Sequence, residues 1–150
     1  MQIKIAIGSD HRGFELKSRL IILPEISGHL IEWHDVGAYT EERSDYPLFA
    51  QKVCTLMQQK QVDFGILLCG SGIGMAIAAN RFKGIFAGLI CNETIASLAK
   101  EDDNVNVLVF ATDFIAYPEA VRSIGAWLQA TFKKGTYTER LSMIENFKLC

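Results

Sequence analysis

The feature that most constrains this chain is an alternation of two patterns. Short apolar, β-branched runs recur, and each is followed by a stretch with helical spacing. Ile3–Gly8, His29–Val36, Val62–Cys69, Ile85–Cys91 and Val105–Phe110 read as strands. Phe14–Ile26, a segment opening near Pro47, Met75–Phe82, Glu93–Glu101, Pro118–Phe132 and a last segment at about 137–147 read as helices. Pro24 should kink or end the first of these. The strands lack clean polar alternation, so both of their faces must be buried, as in a parallel sheet covered by helices.

The expectation is an α/β three-layer sandwich. Its core is a five-stranded parallel, Rossmann-like (flavodoxin-like) sheet with helices on both faces. No repeat, low-complexity stretch or linker divides the 150 residues, so residues 1–150 should form one domain.

Charge and composition narrow the function classes. Fifteen basic against seventeen acidic side chains give a net charge of −2, with no basic excess for nucleic acid. The least polar stretch, Phe64 to Ala79, is crossed by Ser71 and four glycines. It falls short of the roughly 18 apolar residues a membrane span needs. Lys4 and Asp10 break up the N-terminal apolar run, so no signal peptide is expected. Cys54, Cys69, Cys91 and Cys150 form no CxxC pair, which points away from zinc and disulfides and toward a reduced, cytoplasmic protein.

In parallel α/β sheets, ligands sit beyond the carboxyl ends of the strands near the switch point. The loops after the first and third of the five predicted strands therefore carry the interest. The first reads Gly8-Ser9-Asp10-His11-Arg12-Gly13. Asp10 can accept a sugar hydroxyl or orient His11, and His11 and Arg12 can face an anion. Ser9 or Asp10 can also simply cap the next helix.

The second loop reads Cys69-Gly70-Ser71-Gly72-Ile73-Gly74. Its alternate glycines let successive N–H groups turn toward one centre beside a helix start, where an anion or developing oxyanion is stabilised. It matches neither GxGxxG nor GxxxxGK[ST]. Cys69 reads equally as an activated thiol and as an inert core cysteine. Cys54, Cys91 and Cys150 read as structural, as do Trp33, Trp127 and the phenylalanines. His29 and His34 have no acidic or sulfur partner at ligand spacing, and Lys133-Lys134 reads as a solvated helix end.

Both loops, together with Glu42-Arg43-Ser44-Asp45-Tyr46-Pro47 and Ala78-Ala79-Asn80-Arg81, occur in the order seen in type B ribose-5-phosphate isomerases. The likeness continues through Asn106-Val107-Leu108 to the Gly135…Arg140 segment. Over essentially its whole length the chain resembles this family, which also holds the galactose-6-phosphate isomerase subunits.

That resemblance implies interconversion of ribose 5-phosphate and ribulose 5-phosphate through a cis-enediolate, without metal or organic cofactor. It implies Cys69 as the base moving a proton between C2 and C1, and the amides of Gly70, Gly72, Ile73 and Gly74 as holders of the enediolate oxygen. Ser71 would assist ring opening, Asp10 would contact the sugar, and His11 would lie near the phosphate. Tyr46 falls within the substrate-binding motifs. The family is dimeric, which implies a homodimer or dimer of dimers whose C-terminal helix packs on the partner and delivers Arg140 to its site.

The sequence also departs from the family. Asp102 and Asp103 stand where the isomerases carry a ring-opening histidine and an enediolate-holding asparagine, and a one-residue shift would bring Asn104 to the second role. Asp113 replaces an arginine after the last strand, and Thr136-Tyr137 replace an Arg-His pair. Arg12, Lys133 or Lys134 are the cations left to compensate. These changes keep two alternatives open. One is an isomerase of another sugar phosphate, such as a galactose or allose 6-phosphate, or a subunit needing a paralogous partner. The other is a non-catalytic sugar-phosphate binder.

Overall fold

The structure, a computed structural model, describes residues 2–147. In chain order its elements are β1 (Gln2–Ser9), α1 (Phe14–Leu20), β2 (Glu25–Ile26), β3 (His29–Asp35), α2 (Tyr46–Gln58) and β4 (Phe64–Cys69). There follow α3 (Ile73–Ala79), β5 (Ala87–Ile90), α4 (Glu93–Asp103), β6 (Val107–Ala111), α5 (Tyr117–Gln129) and α6 (Thr136–Glu145). No helix among the described residues is long and apolar enough to cross a membrane.

One sheet holds every strand, in the order β2-β3-β1-β4-β6-β5. Its five longer strands are parallel, as the apolar runs require. They keep the flavodoxin-like switch beside β1 but exchange the last two strands. The sixth strand is the departure from the sequence expectation: β2 pairs antiparallel with β3. Ser27 (φ 50°) and Gly28 (φ 83°) join the two. Positive φ at both central residues is what a tight type I′ hairpin requires.

The same hairpin shortens the first helix. α1 stops at Leu20 instead of running to Ile26, because the residue before a proline is steered to extended backbone. The Pro24 carbonyl instead accepts the Ile31 N–H at 2.9 Å. α5 likewise ends at Gln129 rather than Phe132, since Ala130 is already extended at ψ 151°. Lys133 is therefore in a linker and not at a helix end.

Strand periodicity divides the interior into two cores. Ile5, Ile7, Ile66, Leu68, Leu108 and Phe110 point toward α1, α4 and α5. Ala6, Leu67, Cys69, Val107 and Val109 point toward α2 and α3. Each large side chain buried this way contributes roughly 1.5–3 kcal/mol. Trp127 is buried as expected, its Nε1–H donating to the Val105 carbonyl at 2.9 Å. Trp33 is only partly buried, and Phe114 and Phe147 are largely exposed.

Candidate active site

β1 and β4 run side by side with Ser9 level with Leu68. From there the sheet grows outward in opposite directions, through β3 on one side and β6 on the other. This is the switch point, and the two loops singled out from the sequence face each other across it. Gly13 permits their approach. A Cβ on it would lie 2.7 Å from the Leu68 Cβ and 2.8 Å from the Leu68 carbonyl oxygen.

Asp10 does cap its turn. Its Oδ1 accepts the N–H groups of Arg12 at 2.9 Å and Gly13 at 3.2 Å. The side chain is thereby fixed at the site floor, and Oδ2 has no protein partner among the described residues. His11 Nδ1 lies 3.2 Å from the Ser44 N and 3.3 Å from the Ser44 carbonyl oxygen, accepting from the first or donating to the second according to its tautomer. The polar loop before α2 thus orients the imidazole from outside the first motif.

That loop is itself anchored. Lys17, fully buried on α1, bonds both Asp35 carboxylate oxygens at 2.8 Å. Asp35 Oδ1 also accepts the Gly37 N–H at 2.9 Å. The Gly37 carbonyl takes the Ser9 N–H, and Ser9 returns its carbonyl to the Ala38 N–H, both at 2.7 Å. Lys17 thus reaches the site through three backbone links, a role that its place in a helical pattern does not reveal.

Cys69 ends β4 on the α2–α3 face, buried and directly before the glycine loop. Its carbonyl accepts the Thr112 N–H at 2.9 Å. Cys54 shares that core, and burial pushes its thiol up to about 12, so it stays protonated at neutral pH. Cys91 departs from its structural reading. It is exposed and lines a cavity of about 320 Å³ with Ser71, Ile73, Leu89 and Phe114.

Within the glycine loop, the N–H groups of Ser71, Gly72 and Gly74 have no acceptor among the described residues. The Ile73 amide differs from expectation, because it donates to Ser71 Oγ at 3.3 Å. That bond leaves the Ser71 hydroxyl proton available to a ligand. Gly72 adopts φ 72°, which places it in the left-handed region that favours glycine. Gly74 lies under Tyr46, whose ring forms one wall of the loop. Arg12 lies over Gly70 and pairs with Asp113.

The second group of expected residues is elsewhere. Helices of a parallel sheet run opposite to its strands, so the end of α4 lies at the amino end of β6. Gly65 pairs with Val107 there, which puts Asp102, Asp103 and Asn104 about one strand length from Cys69, roughly 16 Å for the six residues of β4. Asp102 bonds Lys133 Nζ at 2.7 Å, and Glu101 joins the pair at 3.2 Å. Those carboxylates hold the Lys133 ammonium above its ordinary pKa. Asn104 caps α4 at φ 47° and accepts from Lys100 Nζ at 3.0 Å. Arg140 lies on α6, its guanidinium 5.2 Å from the Tyr137 ring centre. None of the four joins Cys69 within one chain, and Lys133 is not a free cation. His34, read as having no partner at metal-ligand spacing, makes a hydrogen bond with Glu32 Oε1 at 2.9 Å.

A thiol beside unpaired amides, with a fixed carboxylate and an oriented imidazole opposite, defines an acid–base site for a small polar ligand. The comparisons with known proteins make that class specific. The family described as Ribose/Galactose Isomerase matches residues 5–144. Ribose-5-phosphate isomerase B of Escherichia coli strain K12 is 39% identical over 146 residues, which cover 94% of this chain and 93% of that one. The crystal structure of a ribose 5-phosphate isomerase from Thermotoga maritima matches with a TM-score of 0.89 at 40% identity, covering 97% of this chain and 99% of that one. Ribose-5-phosphate isomerase B from Mycoplasma genitalium, solved with bound ribulose-5-phosphate, matches with a TM-score of 0.82 at 34% identity, covering 95% and 93%. The chain belongs to the ribose/galactose isomerase family.

Proposed function

We propose that this chain is an aldose–ketose isomerase interconverting ribose 5-phosphate and ribulose 5-phosphate, with Cys69 as the proton-transfer base. The observation that carries the reading is the placement of Cys69 directly before a loop whose Ser71, Gly72 and Gly74 amides are unpaired. As the sugar opens, Ser71 Oγ gives its proton to the ring oxygen and the C1–ring-oxygen bond breaks. Ser71 Oγ regains a proton from the O1 hydroxyl, which becomes the C1 carbonyl. The Cys69 thiolate takes the proton from C2, and the electron pair moves through the new C1–C2 double bond onto O1. The loop amides hold that enediolate oxygen, each such donor being typically worth ~2.7–4 kcal/mol of barrier. The thiol then returns the proton to C1 while the O2 proton passes to O1, leaving the ketose. Asp10 Oδ2 accepts a sugar hydroxyl, and the His11 imidazole faces the phosphate.

One chain supplies only part of this site. Asp102, Asp103, Asn104 and Arg140 reach a substrate from a second copy whose α4 and α6 ends face the glycine loop. Exposed Ile73, Ile77, Leu89, Met143 and Ile144 on α3, β5 and α6 give such a copy an apolar surface to cover. We therefore take the working unit as a homodimer, in the cytoplasm, where Cys69 stays reduced. The same separation supports a second reading, in which a related chain completes the site for a hexose 6-phosphate.

Turnover of ribose 5-phosphate by the purified chain tests the assignment. About 1 s⁻¹ or more, an ordinary enzyme rate, is expected. Turnover of galactose or allose 6-phosphate alone, or only after addition of a second chain, would favour the other reading.

A further inference from the structure

Arg12 and Asp113 meet across the mouth of the site. Arg12 Nη2 donates to Asp113 Oδ2, joining the loop after β1 to the loop after β6. Two further bonds knit the same loops to the glycine turn. Thr112 Oγ1 donates to the Arg12 carbonyl at 3.1 Å, and the Asp113 N–H donates to the Gly70 carbonyl at 3.1 Å. The guanidinium rests on Gly70 so closely that a Cβ there would lie 2.5 Å from Arg12 Cζ. Its charge is thus at the rim of the amide cradle, yet it already has a carboxylate partner.

Fold stability does not account for this pair. The two side chains keep 55% and 37% of their surface in solvent, and ion pairs so exposed contribute little. Its effect falls on ligands. A sugar phosphate must displace Asp113 to engage the Arg12 fork, and must then lie beside the released carboxylate. A doubly charged phosphate gains more from the guanidinium than a single carboxylate does. A ligand carrying one carboxylate gains no more than it displaces.

Resting on the isomerase reading above, we propose that Asp113 is a specificity-determining residue. It is an internal counter-ion that occupies Arg12, lowers affinity for the phosphate end of the substrate and rejects singly charged competitors. It touches neither C1 nor C2, so its removal acts on KM and leaves the chemical step to Cys69.

The test compares Asp113→Asn with the wild type, each with Arg12 intact and with Arg12→Gln. Asp113→Asn is expected to lower KM for ribose 5-phosphate on the order of tenfold, with the change in KM and not in kcat. In the Arg12→Gln background the gain should shrink at least threefold, because the cation it frees is gone. An unchanged or higher KM, or an equal gain in both backgrounds, overturns the proposal. Calorimetric titration with inorganic phosphate separates this from the assignment of activity. Phosphate about tenfold tighter to Asp113→Asn supports the counter-ion role even if ribose 5-phosphate is not turned over. Equal phosphate affinity refutes it even in an active isomerase.

Discussion

The Tyr46 ring packs against Gly74 so closely that a Cβ on that glycine would lie 2.5 Å from its Cζ. The contact joins the first residue of α2 to the second of α3, and so sets one wall of the glycine loop. Gly13 has the same intimacy with Leu68, but there the obstacle includes a backbone carbonyl. Tyr46 is partly exposed and can swing outward, whereas the β4 backbone cannot. Gly74→Ala should therefore cost under ~1 kcal/mol of stability while lowering kcat/KM, and Gly13→Ala should cost about 3 kcal/mol. Urea denaturation of both variants with parallel kinetics checks the contrast. Equal losses of stability would contradict it.

Lys17 is a second point where a buried group supports the site. Its ammonium is fully buried against Asp35, and removing one partner of such a pair leaves an uncompensated charge. Lys17→Met should cost about 3 kcal/mol by urea denaturation, and Lys17→Met with Asp35→Asn should recover part of the loss. A double variant no more stable than the single one would show that charge burial is not the cause.

Cys54 gives the alkaline limb of stability a definite sign. Burial raises its folded pKa from 9.0 to about 12, so the unfolded chain ionises first. The stability this confers is complete below pH 9 and falls as pH rises toward 12, by at most ~1.4 kcal/mol per unit. Comparing the pH dependence of unfolding for the wild type and Cys54→Ala isolates this slope. A difference between the two that is constant from pH 8 to 11 would contradict it.

The proposed sharing of sites between copies can be read from mixtures. On that reading, Cys69→Ala and Arg140→Ala chains should damage opposite halves of a shared site. Randomly mixed dimers are hybrids about half the time, each with one intact site, which restores about a quarter of wild-type activity. Refolding the inactive variants together and assaying the mixture reads this directly. No recovery would mean that each chain completes its own site.

Much of this was legible in the sequence, for physical reasons. Short apolar runs such as Phe64–Cys69, ended by a glycine-rich turn and alternating with helical stretches, fit strands covered on both faces, so five parallel strands followed. Asp10, His11, Cys69 and the glycine loop lie at strand ends, where sequence order and position in space coincide. The β2 strand was not legible, because two residues carry no period and Ser27-Gly28 was its only signal. The resemblance puts Asp102 at the position of the family's ring-opening histidine, and says nothing of its distance from Cys69 within one chain. The reversal of chain direction from helix to strand places Asp102 at the opposite edge, on Lys133. The pairings Lys17–Asp35, His11–Ser44 and Arg12–Asp113 span 18, 33 and 101 residues, beyond the reach of local pattern.

The role of Cys69 is the central claim, and rate measurements on ribose 5-phosphate in deuterium oxide, followed by NMR, test it most directly. The wild type should form ribulose 5-phosphate with solvent deuterium entering at C1. Cys69→Ala should be slower by about 10²–10⁴-fold, the usual contribution of a positioned proton-transfer group. A Cys69→Ala chain that isomerises within about tenfold of the wild type would contradict the account, since the proton would then be moved by another group.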